Sequence, residues 1–400
     1  MDRPTIDNTD SKQFEKGRCY CLEVQPGTFW AVVLQASLFL PNMEMLYAPN
    51  APSGSYGSYF LLMELLLALM AIGYSNISFT KKDLAKFIVV LILMAWSYSS
   101  LSIKYGLIFL AIALWNKIAI YDMRNLHRSL IVAGIICALL FGVQGQRLTG
   151  FMSYSAPMFA FTLCVSCAYL LFCDNRLLPS PFNAALVLLG AAMIWLSETR
   201  VFMVAVAVLI IARVVFAIYY NRLIPQQYKA IMITMLVIVI IAVVALNIET
   251  ILQMIEREGG SASSETRASL ISQILPEIIH SPLAVLFGHG GGFAESFCEM
   301  HAVGVSNLPL HQDFLSYIAD YGLVGLIVIA VGFFSRIEWK WYLWLLLVLF
   351  SFHNILTGWT AFLLVYCTFQ SLCLPLSLRK EQRQCVNGSS SDNGCIVVQK

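Results

Sequence analysis

Three basic side chains set the chemistry this 400-residue sequence could perform. Ser197-Glu198-Thr199-Arg200 joins two apolar blocks with almost no intervening loop, which sets Arg200 at a membrane boundary. A charged group within a membrane segment costs ~2.5–3.5 kcal/mol on insertion scales, so such groups usually face a cavity. A guanidinium there has the fork geometry to clamp a phosphate or pyrophosphate. An ion pair with Glu198, or snorkelling to the interface, is the structural alternative. Arg267 falls in a polar loop and is expected at the start of a loop helix, with a solvated surface arginine as the bland reading. His311 opens an apolar helix, and imidazole, whose unperturbed pKa lies nearest neutrality, suits proton removal from a hydroxyl. A backbone-bonded interfacial histidine would account for it as well, and His353 competes for the same role.

These residues gather around one polar island, about sixty residues from Ile248 to Leu310, set between apolar blocks. Within it, Glu265 to Leu275 reads as an amphipathic helix, since Leu270, Ile271, Ile274 and Leu275 recur at helical spacing. Ser264 is placed to cap its start, Pro276 to end or kink it, and Pro282 to forbid a long continuation. The run Gly288-His289-Gly290-Gly291-Gly292 then allows a tight turn, because glycine alone visits positive φ freely. His280, His289 and His301 match no helix-borne zinc pair, so neither a metal nor another cofactor is expected. Past His311, Gly322 and Gly325 stand at i, i+3 spacing, as close helix packing would use. Asp320, about two and a half turns beyond His311, is expected to hold an arginine in place or to be an interfacial carboxylate.

The elements that must position these groups are membrane helices. Apolar residues make up 59% of the chain and charged residues only 12%, with a mean hydropathy of +0.75, a composition soluble domains do not tolerate. The expected fold is an all-α integral membrane protein of about twelve transmembrane helices, each long enough for a ~30 Å hydrocarbon layer. Their centres fall near residues 37, 66, 94, 112, 136, 164, 190, 210, 239, 323, 344 and 365, the fourth being the weakest. This divides the chain into a cytoplasmic tail (1–26), helices 1–9 (27–247), a large outer loop (248–310), helices 10–12 (311–378) and a second cytoplasmic tail (379–400). Both tails are polar and expected to be disordered. Of the 25 Lys and Arg, only Lys104, Arg147, Arg200, Arg257 and Arg267 fall on the outer side when both termini are inside, a strong positive-inside bias. Nucleic-acid binding has no support, since no basic run is interleaved with exposed aromatics. Eleven cysteines indicate no disulfide framework, and Cys164 and Cys167, though spaced CxxC, read as small core residues.

The order Ser-x-x-Arg at an outer helix junction, Arg in the loop, Pro, Gly-x-Gly, His-Gln and Gly-x-x-Gly resembles the O-antigen ligase and O-antigen polymerase superfamily. His311, Gln312, Gly322 and Gly325 fit that family's histidine motif, with Gln312 where Asn is more usual. The resemblance implies a bacterial inner-membrane glycosyltransferase, metal-independent, with a large periplasmic loop and an undecaprenyl-diphosphate-linked oligosaccharide as donor. By the same resemblance Arg200 and Arg267 bind the diphosphate and His311 activates the acceptor hydroxyl or positions the leaving group. Arg147, Gly288, Gly290, Asp320 and His353 complete the set expected to touch diphosphate or glycan. The lipid bilayer, a chain-length regulator and a flippase are the further partners it brings into view.

Three functions compete. A polymerase would transfer a growing glycan onto a lipid-linked repeat unit, and a ligase would move finished glycan to lipid A-core. A carrier of lipid-linked sugar would need ionisable groups near mid-membrane and two gated faces. The charged exceptions gather instead on the outer side, beside one long loop, which favours an enzyme working from one face.

Overall fold

A computed structural model of the chain describes residues 22–24, 29–47, 57–74, 79–115, 118–120, 122–141, 143–144, 147–152, 156–173, 178–221, 223–246, 261–301, 310, 312–334, 343–344, 346–347 and 359–373. The second tail, the first tail apart from Leu22–Val24 (a paired strand where disorder was expected), His311, His353 and most of the span expected near residue 344 lie outside the described residues.

The described chain is almost entirely helical. Its elements are α1 (Phe29–Phe39), α2 (Glu44–Tyr47), α3 (Gly57–Tyr74), α4 (Lys81–Ala95), α5 (Leu101–Trp115), α6 (Arg124–Phe141), α7 (Ala156–Phe172), α8 (Pro181–Leu196), α9 (Arg200–Tyr220), α10 (Gln226–Leu246), α11 (Ser261–Ile279), α12 (Pro282–Phe287), α13 (Phe293–His301), α14 (Asp313–Phe334) and α15 (Trp359–Cys373). Two short ribbons join them: β1 (Leu22–Val24) pairs in parallel with β2 (Ile118–Ile120), and β3 (Val143–Gln144) pairs antiparallel with β4 (Arg147–Leu148). Among the described residues three helices, at Arg124–Phe141, Arg200–Tyr220 and Asp313–Gly332, are long and apolar enough to cross a membrane, and there are several shorter apolar helices.

Local sequence chemistry sets the helix starts. Thr80 and Asp83 close a reciprocal capping box at α4. Ser180 and Ser281 cap α8 and α12, each with proline as the first helical residue. At the centre lies α7, apolar all round and buried along nearly its whole length, as a helix enclosed by others must be. It packs against α6, α8, α9 and α15. Cys164 and Cys167 are buried and free, one part of this packing.

The core also holds polar groups. His127 of α6 is fully buried and stacked on Tyr169, with Nδ1 3.1 Å from Ser166 Oγ on α7 and Nε2 3.2 Å from Thr368 Oγ1 on α15. Ser166 and Thr368 each donate their own proton to a carbonyl one turn back, at Thr162 and Leu364, so the one N–H of a neutral imidazole serves one hydroxyl oxygen and the ring's other nitrogen packs against the second. The three helices are thereby pinned in register by a group that any sliding would leave unsatisfied.

Two elements differ from expectation. The loop helix α11 begins at Ser261, so Ser264 lies inside it, and it runs through Pro276 to Ile279. Pro276 lacks the N–H that would reach the Ser272 carbonyl, but both residues lie on the exposed face, where water can serve that carbonyl. Burial of Leu270, Ile274 and Ile278 against α13 and α14 holds the helix across the gap. The second difference is in α14, which breaks at Gly322 (φ 67°, ψ −175°), a backbone region that only glycine occupies readily.

Candidate functional site

That break builds the site. A helix interrupted at Gly322 leaves carbonyls of the preceding turn without their partners four residues on. The amides of the glycine turn take two of them: His289 N–H donates to Ala319 O at 2.9 Å and Gly290 N–H to Asp320 O at 2.8 Å. The two strained glycines interlock. A Cβ on Gly288 (φ 69°) would lie 2.5 Å from the carbonyl group of Asp320, and one on Gly322 would lie 2.3 Å from that of Leu286. Backbone therefore meets backbone in both directions, which no side chain would permit.

Asp320 ties the turn from below. Its buried carboxylate accepts from Gly292 N–H at 3.1 Å and Ala294 N–H at 2.8 Å, amides at the α13 N-terminus that lack helical partners. A negative charge there also meets the positive end of the helix dipole. From the other side, Gly291 N–H donates to Trp96 O at 2.8 Å and Tyr98 N–H returns to Gly291 O at 3.1 Å. The turn is thus stitched at once to the segment after α4 and to the first half of α14. Gly290 (φ 106°) admits this approach, since its Cβ would fall 2.7 Å from Tyr98 N.

Side chains seal the joint. His289 stacks on Phe293 at 4.3 Å, Tyr98 meets Phe293 edge-on at 5.1 Å, and His289 Nε2 lies 3.1 Å from the Glu277 carbonyl. Beneath the turn, Tyr105 packs against Tyr317 and Tyr321 and reaches Glu295 at 3.5 Å. Among the described residues the buried Tyr321 hydroxyl has no hydrogen-bond partner, and it lies close to where a Cβ on Gly291 would stand. In α13, burial pushes the Cys298 thiol up to about 11, with the nearby charges of Glu295, Asp320 and Glu299 adding to it.

The expected site residues divide accordingly. Gly288, Gly290 and Asp320, expected to touch diphosphate or glycan, turn their polar groups on the protein: every amide from Gly288 to Ala294 has an internal acceptor. They position the loop and do not form an open anion cradle. The described partners of the Asp320 carboxylate are backbone amides, where an arginine or the membrane interface was expected. Gly322 does permit close approach, but as a chain break, with α12 as the approaching element.

Arg200 is the first residue of α9 and is half-buried. The junction before it is tight: Ser197 and Thr199 are buried, Ser197 Oγ lies 2.7 Å from Ile194 O and 3.2 Å from Thr199 Oγ1, and Glu198 sits at φ 54°. A non-glycine residue in that region carries strain, which the surrounding structure must over-determine. Arg147 is exposed on β4, whose hairpin packs against α8. Met45 N–H donates to Phe151 O at 2.8 Å, tying α2 to the segment that follows this hairpin. Position 267 lies in α11, which packs on α12, α13 and α14; its side chain, like His311 and His353, lies outside the described residues. The contribution of Trp96, Tyr98, Tyr105 and Tyr321 was not read from the sequence. Its one signal is the polar Ser97-Tyr98-Ser99-Ser100 junction, too short to suggest a partner nearly two hundred residues away.

A family model described as O-antigen ligase matches residues 185–330. That stretch runs from α8 through most of α14 and contains Arg200, Arg267, the glycine turn, His311 and Asp320. No curated protein matches the chain.

Proposed function

We propose that this chain, a member of the O-antigen ligase and polymerase superfamily by its match over residues 185–330, is a polymerase of surface polysaccharide. It transfers an undecaprenyl-diphosphate-linked glycan onto a lipid-linked repeat unit at the periplasmic face of the inner membrane. The observation that supports this reading is the strained Glu198-Thr199-Arg200 junction, which sets a half-buried arginine at the start of α9 within the matched stretch. Cleaving a sugar from a diphosphate requires neutralising negative charge as it grows on the leaving group. Preorganised arginines can do this without a metal. Arg200 and Arg267 are assigned to the diphosphate, Arg147 and His353 to its outer approach, and His311 to proton removal from the acceptor hydroxyl. Gly288, Gly290, Gly322 and Asp320 hold the loop that carries Arg267 against the helix that His311 precedes.

The second reading is a ligase that moves finished glycan to lipid A-core, favoured by the description of the matching family. Lipopolysaccharide from a host lacking the gene separates the two. Core carrying a single repeat unit means that ligation continues and the missing step is polymerisation. Bare core, with long polymer still on the lipid diphosphate, makes the protein the ligase and overturns the first reading.

A further inference from the structure

Away from the glycine turn, a groove of about 460 Å³ runs along α6. Asn125, Arg128 and Ser129 line it near the helix N-terminus, and Val132 and Ile136 continue the same face, with Phe182 of α8 as a wall. Spacings of three and four residues put these side chains in one line over about 16 Å. The groove is cationic and polar at one end and apolar along the rest, and Val132, Ile136 and Phe182 are all exposed.

Arg128 is held ready. Its Nε donates to Asn183 Oδ1 at 2.9 Å, and its guanidinium lies 5.3 Å over the Phe182 ring. Asn183 is completely buried, so an interior amide fixes the plane of a partly exposed cation. Among the described residues the terminal Nη groups have no partner. Arg124, one turn earlier, is paired with Asp122, and none of the described residues lining the groove is a carboxylate.

We propose that this groove binds one anionic phospholipid, its phosphodiester on the Nη groups of Arg128 and one acyl chain along Val132 and Ile136. A fixed guanidinium matches a phosphodiester edge-on, and a basic pocket between membrane helices selects anionic headgroups. The proposal does not depend on the glycan chemistry.

Native mass spectrometry of the full chain in mild detergent tests it, with phosphatidylglycerol or phosphatidylcholine of identical acyl chains added. One phosphatidylglycerol should stay bound, preferred by about fivefold or more, the effect of one basic residue near the surface. R128Q should erase the headgroup preference, and V132W, which fills the apolar part, should lower retention of both lipids. Equal retention of the two lipids by the wild type overturns the proposal. So does an undiminished preference in R128Q, or unchanged retention in V132W, which serves alone if R128Q does not fold.

Discussion

Arg200 and Asp320 meet the membrane's penalty on charge in different ways, and their substitutions should fail differently. Arg200 is half-buried at a helix start, where a guanidinium can reach both the interface and a bound anion. Arg200→Ala should insert normally and lower transfer by more than about a hundredfold, the usual effect of removing one preorganised charge donor. Arg200→Lys should fail nearly as badly if the contact is bidentate. Near-normal glycan from the alanine variant would remove Arg200 from the diphosphate. Asp320 is satisfied internally, so its loss should act through position. Asp320→Asn sets an NH2 donor against an amide donor and loses one charged hydrogen bond, about 1.5–3 kcal/mol. Hydrogen exchange at Gly292 and Ala294 should then quicken by about tenfold or more. Unchanged protection there would show that the carboxylate is not what holds the turn.

The break in α14 and the glycine turn stand or fall as one unit. Gly322→Ala puts a Cβ 2.3 Å from the Leu286 carbonyl at positive φ, which should destabilise the joint by more than about 2 kcal/mol. Gly332→Ala on the same helix has nothing within 4 Å and should match the wild type in thermal midpoint. Cys298 reports the damage. Buried and pushed up to about 11, its thiol should react slowly with maleimide near neutrality in the wild type and readily in Gly322→Ala. The linked stability has a definite sign. Once pH passes the ordinary thiol value of 9.0 the unfolded chain releases this proton while the folded chain keeps it, so stability is full below 9.0 and declines toward about 11. The apolar spacing at Leu270 and Ile274 made α11 legible in sequence, and the clustered glycines made the turn legible. The chain break was not, because Gly-x-x-Gly within an apolar run signals close packing whether or not the helix is continuous. The length of α11 was missed for a related reason. A proline on an exposed face does not stop a helix whose opposite face is buried.

At the scale of the whole molecule, composition and charge asymmetry were readable because the bilayer imposes them on every helix alike. The interior polar contacts were not. His127, Ser166 and Thr368 meet across three helices, and their positions in apolar runs carry no sign of one another. The same chain-wide logic yields the prediction on which the function rests most heavily. The alternating course expected from the sequence would put the 97–100 segment, the 197–200 junction and the glycine turn at one end, and the basic residues at the other. The positive-inside rule then predicts a site outside the cytoplasm. Alkaline phosphatase fused after His301 should be active, because it folds only outside the cytoplasm, and a fluorescent protein fused after Lys400 should glow, because it matures inside. The reverse pattern would turn Arg200 toward the cytoplasm. No lipid-linked glycan already flipped outward could then reach it, and the polymerase and ligase readings would fail together while the fold description stood.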